Sequence, residues 1–507
     1  FDVEKHHAMA RKAAEQSIVL LKNENHILPL AAGKKVSIIG DFAKTPRYQG
    51  AGSSVVNPTK LESTLDVIQN FPIEFLGFAV GYHRTGAADA ALEKEATELA
   101  VKADVVLLFI GLDEISESEG LDRKHMRLPD SQIRLLEKIA SVNKHVVAVL
   151  AGGAPIEMPW IDKCEAVIHG YLSGQAGAGA MLNAITGKVN PSGKLNETYP
   201  LRYEDVPSAP YFPSKERNAE YREGLYIGYR YFDTVGKKVL FPFGYGLSYT
   251  TFQYSNLNLS ETKAVFDITN TGDRDGAEVA QLYISAKCSG VYRPKKELKG
   301  FTKVFLKVGE TKTVEIPIDR DAFRYFNVKT NEFEIESGEY EILIGASASD
   351  IRLSETADII GTGASLPYDM RLLKDYASGD ITQISDQEFE TLLGHKIPNG
   401  HWTGKLDRND AICQMYYAKS GLARMIYRVM TNIVDKSMAK GKPNLNLMFN
   451  YNMPFRAIGK MAGGICSQEM VDGIVTIVNG HFFKGFGQVI GGFFRQQKVR
   501  KRAKGMN

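Results

Sequence analysis

Asp104-Val-Val-Leu-Leu-Phe-Ile110 runs directly into Gly111-Leu-Asp-Glu-Ile-Ser-Glu-Ser-Glu-Gly-Leu-Asp-Arg123, and the character of that junction decides the fold. The first stretch is apolar at every position from Val105 to Ile110, without the polar alternation of a half-exposed strand. It predicts a strand covered on both faces. The second begins with glycine and sets Asp113, Glu114, Glu117, Glu119 and Asp122 against a single Arg123, which predicts a loop at that strand's carboxyl end. Doubly wound sheets bind ligands at this end.

Outward from the junction, similar short runs recur at Val36-Ser-Ile-Ile-Gly40, Glu74-Phe-Leu-Gly-Phe78, His145-Val-Val-Ala-Val-Leu150 and Ala166-Val-Ile168. The stretches between them, 60–70, 86–103, 130–142 and 174–187, place apolar residues three and four apart, as helices packed by one face require. Strands alternating with helices point to a parallel sheet with helical crossovers, one doubly wound α/β domain over 1–200. Residues 201–250 are rich in Pro, Tyr and Gly, with Phe241-Pro-Phe-Gly-Tyr-Gly246 as a turn signal, and read as an ordered connection. Beyond it, Ala264–Thr269, Glu278–Ile284, Thr313–Ile316 and Tyr340–Ile344 alternate apolar with polar residues between turn signals, the pattern of an immunoglobulin-like β-sandwich over 251–363. Residues 364–507 return to a mostly helical character.

The whole chain has 507 residues, room for about three domains, and its 44% hydrophobic and 24% charged residues exclude a collagenous or disordered protein. A net charge of +3 argues against a nucleic-acid binder. The segment Arg495 to Lys504 departs from that balance, with six basic residues and no acid. Met470–Val478 and Phe482–Phe494 are apolar, but Asp472, Lys484 and five glycines interrupt them, which disfavours a spanning helix. Gly487-Gln-Val-Ile-Gly491 has the spacing of a close helix contact, so with the basic tail this region suits packing on the protein body, self-association or contact with an anionic membrane surface. Cys164, Cys288, Cys413 and Cys466 have neither metal-ligand nor disulfide spacing, which predicts reduced thiols in a cytoplasmic protein without metal or cofactor. The chain opens on Phe1 with no apolar signal core, so the expected start of the gene product lies upstream.

Three segments can carry chemistry. Gly50-Ala-Gly-Ser-Ser54 admits a phosphate or a sugar hydroxyl near backbone N–H groups, but lacks the Gly-Lys-Ser/Thr ending of a nucleotide loop. Ser173-Gly-Gln-Ala-Gly-Ala-Gly179 mimics a dinucleotide fingerprint, and close helix packing explains the same small residues. In the acidic loop, crowded carboxylates repel one another, so at least one pKa should rise toward the range an acid catalyst needs. Spacing alone does not choose which one.

The run Glu117-Ser-Glu-Gly-Leu-Asp-Arg123 resembles the Glu-x-Glu-Gly-Tyr-Asp-Arg loop of glycoside hydrolase family 3, which includes many β-glucosidases. His6 to Glu24, the loop at 50–53, Gly174 to Pro200 and Tyr221 to Tyr231 followed by Phe241 to Tyr249 are similar to that family in the same order. The resemblance implies the family's α/β sandwich domain, then a fibronectin type III-like domain. It also implies a retaining β-glucosidase acting on β-linked gluco-oligosaccharides or aryl glucosides, with Glu119 as the general acid/base. By the same implication Asp122 and Arg123 support the loop and Ser53 binds a sugar hydroxyl. Leu121 stands where the family usually has Tyr. Family members carry the nucleophilic aspartate on a (β/α)8 barrel, commonly before a Trp, and neither Trp160 nor Trp402 follows an Asp. The chain is therefore expected to be the C-terminal portion of a longer enzyme, inactive alone, with the barrel as its partner and a homo-oligomer possible. Another β-exoglycosidase such as a β-xylosidase, a non-catalytic carbohydrate-binding or interaction module, and a nucleotide-binding α/β protein are the alternatives.

Overall fold

The structure, a computed structural model, describes residues 1–507 except Thr85, 214–217, 401–403, 441–443, 462–464 and 505–507, and the side chains of 500–504 also lie outside the description. Strands Val19–Asn23 (β1), Lys35–Ile39 (β2), Glu74–Ala79 (β3), Val105–Gly111 (β4), Val146–Ala151 (β5) and Ala166–His169 (β6) form one sheet in the order β1-β6-β5-β4-β2-β3. β2 to β6 are parallel, and β1 closes one edge antiparallel to β6. Helices Thr64–Val67 (α2), Ala90–Ala100 (α3), Asp130–Val142 (α4) and Gly177–Ile185 (α5) fall where the sequence places them, and cover a core that includes Leu107, Leu108, Leu135, Leu136, Val147 and Ile168. β1 and the helix before it, Val3–Ser17 (α1), are additions. Val19-Leu-Leu is too short to declare a strand, and α1 is started by Asp2, whose carboxylate accepts the N–H of Lys5 at 3.0 Å.

The winding reverses beside β4. From β2 the chain steps outward to β3, then crosses back over β2 to β4 and continues through β5 to β6. β4 also outruns β2: its pairing with β2 stops at Leu108, while its pairing with β5 continues to Gly111. The N–H and C=O of Gly111 therefore have no strand partner on the β2 side. The wholly buried amide of Gln132 on α4 replaces it, accepting from Gly111 N–H at 2.9 Å and donating to its carbonyl at 3.0 Å.

After a connection that holds a short ladder (Tyr199–Pro200 with Val239–Phe241) and helix Tyr229–Val235, the chain builds a β-sandwich. A three-stranded sheet (Phe252–Leu259, Lys263–Asn270, Thr311–Pro317) faces a four-stranded one (Gly276–Ala286, Glu297–Leu306, Gly338–Ser347, Asp350–Ile359) over Phe266, Ile268, Leu282, Tyr340 and Ile344. Next, helices Lys374–Ser378 and Asp386–Leu393 pack Tyr376 and Phe389 with Tyr226 and Phe232 of the connection. The last hundred residues have a core of their own, around Leu406, Met415, Phe455, Val471 and Val478. None of the described helices is long and apolar enough to cross a membrane. Helices Gln468–Val478 and Phe482–Lys504 do approach closely, but through different glycines from those the spacing suggests. Gly473 and Gly485 meet backbone to backbone and Gly492 meets Met470, whereas Gly487 faces open space and Gly491 only Arg495.

Replacing Gln132 by Leu tests the strand-end constraint. It leaves two buried backbone groups unpaired, and should lower the unfolding free energy by about 2–4 kcal/mol in a denaturant titration. A loss below about 0.5 kcal/mol would show that water or a shifted strand takes over the contact.

Candidate active site

Because the winding reverses between β2 and β4, the carboxyl ends of these two strands mark the switch point at which doubly wound sheets form a ligand crevice. Its floor is tight: at Gly40 (φ +113°), which ends β2, a Cβ would lie 2.1 Å from the carbonyl oxygen of Phe109. Arg47, buried in the loop after β2, bridges to the acidic loop after β4. It donates to the carbonyls of Gln49 at 3.2 Å, Leu112 at 3.2 Å and Glu117 at 3.0 Å. Arg84, which follows β3, pairs with Asp41 and donates to Glu114 at 2.9 Å. The carboxylate of Glu117 accepts the N–H of Gly153, which follows β5, at 2.9 Å and lies 3.7 Å from Arg47. Asp113 turns inward and accepts the N–H of Ser116 at 2.7 Å.

Glu119 is left at the exposed tip. Its N–H donates to Ala51 O at 3.0 Å, and its carboxylate accepts the N–H of Ser53 at 2.6 Å. The glycine loop thus grips the glutamate by both backbone and side chain. Gly52 (φ +126°) permits this, since a Cβ there would stand 2.5 Å from the Cβ of Glu119. The Ser53 hydroxyl, then its N–H, hold the Glu119 carboxyl below the usual carboxylate range.

The expectation that crowding raises a loop carboxyl is not met at Glu119, and Arg47 and Arg84 pair with Glu117 and Glu114. The raised carboxyl is Glu197, on the segment after α5. Burial, then the charge of Glu117, pushes it up to about 7, with Arg123 opposing, and its Oε1 has no hydrogen-bond partner among the described residues. Arg123 does tie the loop down, donating to Pro155 O at 3.0 Å, and it lies between Glu117 and Glu197. Asp122 is exposed, and among the described residues its carboxylate makes no hydrogen bond. Ser53, Glu119 and Arg123 therefore converge on one loop system, with Asp122 at its rim. Arg47, Arg84, Gly153 and Glu197 were not marked by sequence reasoning; the signal in hand was an arginine shortly after each of two strand-like runs, opposite a loop of surplus acids.

The second glycine-rich segment is closed to a dinucleotide. The N–H of Gly179, at the start of α5, already donates to Glu62 at 2.8 Å, and a Cβ there would meet Glu62 and Arg11 within 2.8–2.9 Å. Buried His7, 3.0 Å from Glu62, and Gln175, 3.1 Å from His7, complete a cluster that fastens α1 to α5. Close packing is what these small residues serve.

Residues 18–249 match the glycosyl hydrolase family 3 C-terminal domain and residues 278–348 a fibronectin type III-like domain. The chain is similar to thermostable β-glucosidase B of Acetivibrio thermocellus, 45% identical over 491 residues that cover 94% of this chain and 60% of that protein. It is 46% identical over 383 residues to an exo-α-(1→6)-L-arabinopyranosidase of Bifidobacterium breve, covering 72% of this chain and 50% of that one. The crystal structure of a family 3 β-glucosidase from Bifidobacterium adolescentis superposes with a TM-score of 0.70 at 42% identity, covering 76% of this chain and 58% of that structure. The chain thus spans between 50% and 60% of the length of these relatives. With a doubly wound domain and a β-sandwich in the family's order and the Glu-Gly-x-Asp-Arg loop at the carboxyl edge of the sheet, this chain belongs to glycoside hydrolase family 3 and carries its C-terminal and fibronectin type III-like domains.

Proposed function

We propose that the chain supplies the general acid/base of a retaining β-glucosidase, with Glu119 in that role, and that the nucleophilic aspartate comes from a (β/α)8 barrel outside these 507 residues. The observation that supports this best is the seat of Glu119: an exposed carboxylate at the switch-point crevice, held at 2.6 Å by the N–H of Ser53. In the retaining reaction the nucleophile attacks the anomeric carbon while the acid protonates the departing oxygen. The same residue then takes a proton from the water that releases the sugar. This requires the two carboxyl groups about 5–5.5 Å apart, so the exposed tip of the acidic loop must face the barrel.

In the chain as described, Ser53 favours the ionised form of Glu119. A docked barrel removes water from the crevice and brings a second carboxylate near, and both effects raise the pKa toward that of a working acid. Ser53 then serves less as a sugar ligand than as the group that limits this rise, while Arg123 fixes the loop and Asp122 faces its mouth. A second reading, another exoglycosidase with the same acid, is favoured by the arabinopyranosidase relatives at 46% and 45% identity. The acid/base half is indifferent to that choice, since the ring being cleaved is held mainly by the barrel.

Three outcomes test this reading. The chain alone should not turn over an activated aryl β-glucoside at enzymatic rates, because one carboxyl cannot form the glycosyl–enzyme intermediate; turnover by the purified chain refutes the division of roles. In an active polypeptide that includes the barrel, Glu119→Ala should slow cellobiose hydrolysis on the order of 10² to 10⁴-fold. Glycosylation by a dinitrophenyl glucoside should stay comparatively fast, and azide should yield a β-glucosyl azide. The same phenotype in Glu117→Ala instead would transfer the role. Finally, Ser53→Ala should raise the carboxyl pKa of Glu119 in a carbon-13 NMR titration of the chain, and an unchanged midpoint would rule the hydroxyl out. Since the folded carboxyl titrates below its unfolded value, its contact helps hold the loop at neutral pH and is lost only as the pH falls through that lower range.

A further inference from the structure

We infer that the C-terminal helical unit forms the leaving-group side of the site, with Phe449 as an aromatic platform for the sugar being expelled and Asn452 as the residue that fixes this platform to the acidic loop. The inference rests on the role proposed for Glu119. The contact that carries it joins residues 332 positions apart: the amide of Asn452 donates to the carbonyl of Gly120 at 3.0 Å, one peptide beyond Glu119. Gly120 adopts φ +80° with open space where a Cβ would point, so its carbonyl is presented on a left-handed turn.

The element that bears Asn452 is held from several directions. Helix Leu445–Asn452 is capped by Asn444, whose side chain accepts the N–H of Leu447 at 3.0 Å. Just past its end, Met453 O accepts the N–H of Ile412 at 2.9 Å, and the N–H of Phe455 donates to Asp410 O at 3.0 Å. Tyr451 stacks on Tyr427 with ring centroids 6.1 Å apart, and its hydroxyl is 3.2 Å from that of Thr431. Met448 is buried, and Phe455 packs in the core of the unit. Phe449 does not; it is 49% exposed, and it precedes Asn452 by three residues. Side chains at that spacing are neighbours on one helix face, about 5–6 Å apart. An aromatic ring outside the cores of the described residues is therefore carried three positions from the contact with the acidic loop.

The glycine loop that holds Glu119 continues into exposed apolar residues. Val55 and Val56, which follow the glycine loop, are 53% and 64% exposed. A general acid must stand within hydrogen-bond reach of the leaving oxygen, so the ring bonded to that oxygen lies close to Glu119. The C–H face of a pyranose can pack on the Phe449 ring while its hydroxyls stay in water. The substrate class that fits is a β-linked disaccharide or longer oligosaccharide, whose leaving group is itself a sugar, in preference to a glycoside with a small leaving group.

The test compares cellobiose with β-glucosyl fluoride, which leaves no second ring, in an active polypeptide that joins this chain to its barrel. In Phe449→Ala the ratio of kcat/KM for cellobiose to that for the fluoride should fall roughly five- to tenfold, mainly through the KM for cellobiose, and Phe449→Trp should restore it. Asn452→Ala should lower the same ratio in the same direction. A ratio that stays constant in Phe449→Ala and Asn452→Ala, or losses shared equally by both substrates, overturns the inference. Azide rescue of Glu119→Ala reports on the acid without involving Phe449, so failure of the acid assignment and failure of the platform are told apart.

Discussion

The site depends on β2 and β4 lying side by side while the chain winds away from them in opposite directions. No crossover helix can fill the space beyond their carboxyl ends, so the loops that leave them must satisfy each other. Arg47 does most of this: from the β2 loop it binds three carbonyls and approaches two carboxylates, which makes the crevice floor a single hydrogen-bonded unit. The Gln132 amide closes the last open backbone groups of β4. Each of these is a buried polar obligation, and each would be costly to leave unmet.

The division among the five acids of the loop follows from that floor. Asp113 is spent on the local turn, Glu114 on Arg84 and Glu117 on Gly153 and Arg47, which leaves Glu119 and Asp122 toward solvent. Of these two, only Glu119 is gripped by the glycine loop. Selection of one carboxylate among several is thus a matter of which ones have already been paired. The rise of Glu197 illustrates the reverse case: a carboxyl set beneath the loop, near Glu117 and without a hydrogen-bond partner for one oxygen among the described residues, keeps its proton to about pH 7.

Cores of different size divide the labour along the chain. The parallel sheet has a large, continuous interior that holds the crevice in shape, and the β-sandwich has a separate one. The last hundred residues form only a small cluster, with the apolar residues Leu422, Met425, Val429, Phe483, Phe486 and Phe494 left outward. Such a unit keeps its place through specific contacts more than through buried area, and the hydrogen bond from Asn452 to Gly120 is one of them.

Much of this was determined by the sequence itself. The apolar run Val105–Ile110, its counterparts at 36–39 and 146–150 and the helical spacing between them specify a doubly wound domain, because strand and helix periods are written in local order. Ser53, Glu119 and Arg123 were legible through the likeness of their loops to a family. Other features were decided only in three dimensions. β1 is a strand because β6 offers an edge, which three apolar residues cannot announce. Arg47 and Arg84 find their carboxylates across 30 to 70 positions, so no spacing marks them, and their charge offsets the crowding that a count of the loop acids alone suggests. Gly485 and Gly492, not the evenly spaced Gly487 and Gly491, meet the neighbouring helix because the face turned inward is set by what the rest of the unit covers. A sequence fixes which local shapes are cheap; which side chains then meet depends on distances that only the assembled chain defines.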